Sequence, residues 1–237
     1  MFKYDISVNL LFALRDFFSG ELYAQLKKYC SGRVLDVGGA SFFQTAIKKN
    51  ISFQHWTVVE MTEFKEALPS NVEFILADGT DLKFSDNSFD TILNIQVLEH
   101  TFEPFKMFSE CVRVLKKGGY GIFLVPQTGS MHLAPYHFQN FLRFWLEEAC
   151  KRTGVEIIQL KPLGGFWTSH ASRLFFMLLA ALNRPGNTFP SIKRGPFFYL
   201  LFPVMLIYAV INVPLCLILS LGDLHEEPPN HLLIFKK

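Results

Sequence analysis

Asp36, Gly38 and Gly39 sit together in the segment RVLDVGGASFF, residues 33–43, and could hold a ligand between them. Val34, Leu35 and Val37 form the apolar run of a parallel strand covered on both faces. The two glycines carry no Cβ, so the backbone can turn sharply there and approach a ligand closely. The amides that open the next helix would face that ligand. Asp36 stands near the strand's end, where open α/β sheets bind ligands. A second acid, Glu60, closes the next apolar run, 56–59, one strand–helix–strand unit later. An acid there accepts hydrogen bonds from both hydroxyls of a ribose; the alternative is an ordinary solvated loop acid. Asp78 and Gly79 follow a third run, 72–76, and Asn94 and Gln96 end a fourth, 91–95. This acidic, amide-rich rim suits a ribose, an adenine amino group and a cationic group. Ala40 and Phe43 occupy the places of the second and third glycines of a dinucleotide fingerprint, and no triphosphate-cradling Gly-x-x-x-x-Gly-Lys-Ser/Thr loop follows.

A second group of candidates could move a proton. His100 follows the fourth run, and His132, Tyr136 and His137 crowd the loop over 128–141. Each histidine has a competing reading, as a structural residue at 100 and as surface residues at 132 and 137.

The elements that must position these groups repeat as strand, helix, strand. Strands are expected at 33–37, 56–59, 72–76, 91–95, 120–125 and 155–160, with helices over 44–49, 104–115 and 141–152. The helix over 104–115 is amphipathic through Phe105, Phe108, Val112 and Leu115, and Lys116, Lys117, Gly118 and Gly119 are expected to stop it. Gly154 stops the later helix. Such alternation gives a mostly parallel sheet wound by right-handed crossovers. Residues 1–30 predict a helical cap, broken at Ser19-Gly20.

Composition narrows the function. The chain of 237 residues is 50% hydrophobic with a mean hydropathy of +0.23, and the excess gathers after Arg173. A net charge of +2 without a basic run excludes a nucleic-acid groove on electrostatic grounds. Cys30, Cys111, Cys150 and Cys216 are scattered, which predicts reduced thiols and no structural metal. The apolar run 8–14 is too short for a secretory signal.

The segments VLDVGGASF, VVEM, ADGTDLKFSDNSFDTILNIQVLEH and RVLKKGGYGIFLVP resemble, in order and spacing, the motifs of class I S-adenosylmethionine-dependent methyltransferases. The likeness covers about 32–126 and is greatest to the broad group that includes quinone-biosynthesis methyltransferases. It implies a Rossmann-like methyltransferase fold, an α/β seven-stranded sheet with helices on both faces. It also implies S-adenosylmethionine as cofactor. Carried over, Asp36, Gly38 and Gly39 would line the cofactor's amino-acid part, Glu60 would hold its ribose, Asp78 its adenine amino group, and Asn94 the strand-four side of the pocket. Ala40, Met61, Gly79 and Gln96 are the further cofactor-binding candidates beside them. The passage 136–167 loosely resembles a helix–strand–GGF segment of methyltransferases linked to cell-surface polysaccharide or lipid pathways.

Two apolar blocks, 174–182 and 197–222, precede the closing run 231–236. The first is too short to span a bilayer; the second is uncharged and passes the length test, with Pro203, Asn212 and Pro214 expected to interrupt it. In the resembled fold the last strand hairpins beside the sixth and enters the sheet antiparallel. Both ends of 197–222 must then lie on one side of a membrane. That predicts a broken, re-entrant or in-plane hairpin, with Lys193 and Arg194 against head groups. A soluble lid or a homodimer interface is the competing account. The expected organisation is a cap (1–30), a cofactor-binding domain (31–163), a hydrophobic helical insertion (164–230) and a closing strand (231–237). The expected activity is methyl transfer to a small or lipid-linked acceptor at the cytoplasmic face of a membrane. A nucleotide-dependent oxidoreductase and a non-catalytic membrane-associated partner protein remain rivals.

Overall fold

The computed structural model describes residues 19–133, 135–181 and 195–237. The expectations for residues 1–18 and for Lys193 and Arg194 fall outside them. Helix α1 (Gly20–Tyr29) leads into strand β1 (Arg33–Val37), helix α2 (Phe42–Lys48), β2 (His55–Glu60), β3 (Val72–Leu76) and β4 (Phe89–Ile95). A short 3-10 turn (Leu98–His100) precedes α3 (Pro104–Val114), β5 (Leu115–Pro126), α4 (Arg143–Thr153) and β6 (Glu156–Leu163). Helices α5 (Phe166–Ala181) and α6 (Pro196–Leu219) come before the last strand, β7 (Asn230–Lys236). The seven strands form one sheet in the order β3-β2-β1-β4-β5-β7-β6. Strands β1 to β5 pair in parallel, and β7 lies antiparallel between β5 and β6. This is the expected α/β class, with the closing strand where the resemblance placed it.

The alternation of side chains along β1 divides the core. Leu35 and Val37 join Phe108 of α3 and Leu146 of α4 on one face of the sheet. Val34 joins Leu22 and Leu26 of α1, Phe43 of α2 and Trp56 on the other. Both faces are therefore covered by helices, as a parallel sheet requires.

Two local expectations are corrected. Helix α3 ends at Val114, before the glycines, because Leu115 is already extended at φ −70° and ψ 133°. Lys116 to Gly119 belong to β5. Gly118, at φ +83°, donates its N–H to the Lys237 carbonyl at 2.6 Å, so pairing with the chain's end replaces a glycine cap. The second correction concerns the prolines. Pro203 and Pro214 lie inside α6 without dividing it, and its 24 residues run as one helix of about 36 Å.

Helices α5 and α6 pack on each other as a hairpin. Its root is closed by Asp223, which accepts the N–H of Trp167 at 2.7 Å and of Thr168 at 3.1 Å. Phe166 N–H donates to the Leu224 carbonyl at 2.8 Å. The first N–H groups of α5, which have no partner within the helix, are thus satisfied from the far end of the hairpin. Replacing Asp223 with Ala should lower stability by about 1–2 kcal/mol, read as a lower urea midpoint, with Asp223→Asn intermediate. An unchanged midpoint would mean that the backbone bond alone holds the root.

Candidate active site

Because β1, β2, β3, β4, β5 and β6 run the same way, their carboxyl ends share one edge of the sheet. At the end of β1, Gly38 adopts φ +74° and donates its N–H to the Val59 carbonyl at 2.7 Å. A Cβ on Gly39 would fall on the Asp36 carboxylate, so the turn lies directly over that acid. Ala40 continues it at φ +44°, a left-handed conformation more usual for glycine. The rings of Phe42 and Phe43 turn into the core, on Trp56 and Phe64 respectively.

Asp36 is fully buried. Trp56 Nε1–H donates to its Oδ2 at 3.2 Å, while Oδ1 has no partner. Burial pushes its pKa up to about 7; the Trp56 bond opposes this and the Glu60 charge adds to it. Glu60, half-buried at the end of β2, accepts the N–H of Met61 at 3.0 Å. The Met61 side chain is exposed. Asp78 Oδ1 accepts the Thr80 N–H at 2.8 Å and so shapes its own loop. Gly79 lies against Val37 and Met107, where a Cβ would clash.

Asn94 and Gln96 each have a contact within the fold. Asn94 is buried on the opposite face of the sheet from Asp36, with Nδ2 3.5 Å from Met107 Sδ and Oδ1 unpartnered. Gln96 donates from Nε2 to Asn230 Oδ1 at 2.8 Å, tying the end of β4 to the start of β7. Sequence spacing put both at the strand's end, but only the position of β7 reveals the Asn230 contact.

The proton-moving candidates do come together. The rings of His100, His132 and His137 lie 4.8 Å, 5.6 Å and 4.5 Å apart in the pairs 100–132, 100–137 and 132–137. His100 Nδ1 donates to the Tyr136 carbonyl at 2.8 Å, and His132 Nδ1 to the Ser130 carbonyl at 2.9 Å. His137 accepts the His132 N–H and donates to Asn140 Oδ1, each at 3.2 Å. Burial lowers the pKa of His100 and His137. Tyr136 contributes its carbonyl, while its side chain is exposed. Sequence reasoning missed Glu99, fully buried beside His100 with both carboxylate oxygens unpartnered and its pKa pushed up by burial to about 7. The Glu99-His100 dipeptide after a strand was the available signal; its burial was not legible.

The hairpin root adjoins this edge. Thr128 Oγ1 donates to Ser169 Oγ at 2.9 Å, Ser169 Oγ donates to the Glu227 carbonyl at 2.6 Å, and Gln127 Nε2 to the Glu226 carbonyl at 3.0 Å.

Residues 24–123 match the family model described as a methyltransferase domain. This stretch is a class I methyltransferase domain of the S-adenosylmethionine-dependent type. Over 147 residues the chain is 28% identical to 2-methyl-6-phytyl-1,4-hydroquinone methyltransferase 2 of Oryza sativa, covering 57% of this chain and 42% of that protein. The chain thus spans less than half of that plant relative. Among solved structures, a SAM-dependent methyltransferase from Archaeoglobus fulgidus superposes with a TM-score of 0.54 at 15% identity, covering 96% of this chain and 99% of the other. The cyclase SpnF does so with a TM-score of 0.57 at 18% identity, covering 92% and 80%. At such identities the superpositions establish the fold.

The residues of the domain fit its cofactor. The turn at Gly38 and Gly39 offers backbone without side chains, and Asp36 Oδ1 has an acceptor lone pair to give. Without a ligand that acid is a burden. As pH rises from about 4 to about 7, the unfolded chain releases the Asp36 proton while the fold retains it, so stability falls across that window. At ~1.4 kcal/mol per pKa unit the loss approaches ~4 kcal/mol. Asp36→Asn should flatten this decline in thermal scans of the ligand-free protein between pH 4 and 8, while weakening cofactor binding. A mutant with the same pH slope as the wild type would show that Asp36 is ionised throughout.

Proposed function

We propose that this chain is an S-adenosylmethionine-dependent methyltransferase whose acceptor reaches it from the apolar phase of a membrane, at the cytoplasmic face. The observation that carries the membrane part is the position of the hairpin root. Helix α5 begins, and the segment after α6 returns, at the sheet edge that also bears the Gly38–Gly39 turn and the histidine loop. Helix α6 passes the length and hydropathy test for a membrane helix, and only 11% of its most apolar window is buried in the fold. Phe197, Leu200, Val204, Ile207 and Ile211 are all more than half exposed. So large an apolar surface calls for a covering phase. An acceptor dissolved along it would arrive beside the site. The rice relative's name specifies a hydroquinone with a phytyl tail, and an aromatic diol on an isoprenoid tail is the acceptor class that suits this arrangement.

The bound cofactor would supply a methyl carbon activated by its sulfonium. The chain's own part is to bind and orient. The amide-rich turn at 38–39 and Asp36 would hold the amino-acid end, and Glu60 the ribose. The loop 128–141 would cover the reacting atoms and exclude water. His100 Nε2, whose partner nitrogen is committed to the Tyr136 carbonyl, is available to take a proton from an acceptor hydroxyl.

Glu60→Ala should weaken S-adenosylhomocysteine binding roughly tenfold, the loss of one charge-assisted bond pair of about 1.4 kcal/mol, in a calorimetric titration; unchanged affinity would remove the ribose assignment. The protein should float with phospholipid vesicles, and Leu200→Glu combined with Ile207→Glu should abolish flotation while leaving cofactor binding intact. Protection of a C-terminal tag from protease on the side opposite the domain would overturn the hairpin topology.

A further inference from the structure

The geometry points to a divalent transition-metal site built from Glu99, His100 and His132, with Zn²⁺ the ion whose chemistry it matches. The expectation that the chain binds no metal rested on its scattered cysteines, and these ligands are of a different kind. One ligand atom from each of the three residues lies within 4.8 Å of the other two, and His100 Nε2 is 3.8 Å from Glu99 Oε1. Ligands about 2.0–2.2 Å from Zn²⁺ stand roughly 3.3–3.6 Å from one another in a tetrahedron. A small contraction of the cluster would therefore close it on an ion.

Two independent observations favour an ion over a chance cluster. Glu99 is fully buried, and neither carboxylate oxygen has a partner. A buried carboxylate left bare is costly unless a cation or donor completes it. The two histidines are also already oriented as metal ligands. Each spends Nδ1–H on a backbone carbonyl, His100 on Tyr136 and His132 on Ser130, which fixes the tautomer and leaves the Nε2 lone pair free. His137 is different, because both of its nitrogens are engaged, with His132 N–H and Asn140 Oδ1. It steadies the loop that carries His132. Two imidazoles and one carboxylate suit Zn²⁺ better than Mg²⁺, which prefers oxygen ligands and keeps its waters.

Three protein ligands leave a fourth position open, as in catalytic rather than structural zinc sites. At the carboxyl edge of β4 that position could take an oxygen of the acceptor and lower its pKa, so that with the ion bound His100 Nε2 holds the metal instead of taking the acceptor's proton, which leaves to water. This role rests on the methyltransferase reading; the ion site itself does not.

The test is calorimetric titration of the metal-stripped full chain with Zn²⁺, with Co²⁺ absorption as a second readout of coordination. One ion per chain should bind with micromolar or tighter affinity, undisturbed by millimolar Mg²⁺. Glu99→Gln and His132→Asn should each weaken it tenfold or more. His55→Gln, which removes a surface histidine 3.1 Å from Glu73, should leave it unchanged. His132 lies on the loop after β5 rather than in a strand, so its variant keeps the test valid should Glu99→Gln fail to fold. Absence of stoichiometric Zn²⁺ binding, or equal binding by the wild type and both ligand variants, overturns the site. Tight Zn²⁺ binding without methyl transfer would uphold the site and count against the methyltransferase reading alone.

Discussion

The antiparallel insertion of β7 between β5 and β6 is the constraint on which the rest of this molecule depends. It forces the chain, after leaving β6 at the carboxyl edge of the sheet, to come back to that same edge before it can enter the gap. The apolar helices between the two strands must therefore fold as a hairpin. The returning segment supplies Asp223 to the start of α5 and Asn230 to Gln96, so the hairpin, β4 and the loop after β5 are bonded at a single corner. Strand β7 is itself deeply buried, with Leu232, Leu233, Ile234 and Phe235 all inaccessible.

Around that corner the molecule leaves polar atoms unsatisfied that a purely structural core would not. Asp36 Oδ1, Asn94 Oδ1 and both oxygens of Glu99 are buried without partners. They do not share one cause. Asp36 lies under the glycine turn, on the α1–α2 face of the sheet. Asn94 lies on the α3 face beside Met107. Glu99 belongs to the histidine cluster. Acids held neutral or bare in a fold are a standing destabilisation, and in active sites that condition is relieved when the ligand arrives. The ligand-free domain should accordingly gain stability from its ligands beyond what surface binding would give.

Much of this architecture was readable from residues alone, since the apolar runs at 33–37 and 72–76 coincide with β1 and β3 as built. In β1 the apolar residues are those of a strand buried on both faces, whereas β3, at the edge of the sheet, keeps Glu73 and Leu76 exposed. The closing strand was legible too in HLLIFK, while its antiparallel place in the sheet came from the family resemblance. What failed was local. Lys116 to Gly119 look like a helix stop, but pairing with Lys237, distant in sequence, draws them into β5. Pro203 and Pro214 look like breaks, but each removes one donor from a long helix whose other bonds persist. At the site, the turn and the strand-end acids could be read from spacing. The contact of Gln96 could not, because its partner, Asn230, opens the closing strand far along the sequence. Glu99 could not either, because burial is a property of the assembled sheet and not of the dipeptide.

The position of the hairpin within the chain also orders the molecule's assembly in time. Strand β7 is made after α5 and α6, so while the hairpin is being synthesised β5 and β6 face each other across an empty slot, each with an unpaired edge. The sheet can close only once the hairpin has been made, so completion of the cofactor domain waits on the apolar helices that precede its last strand.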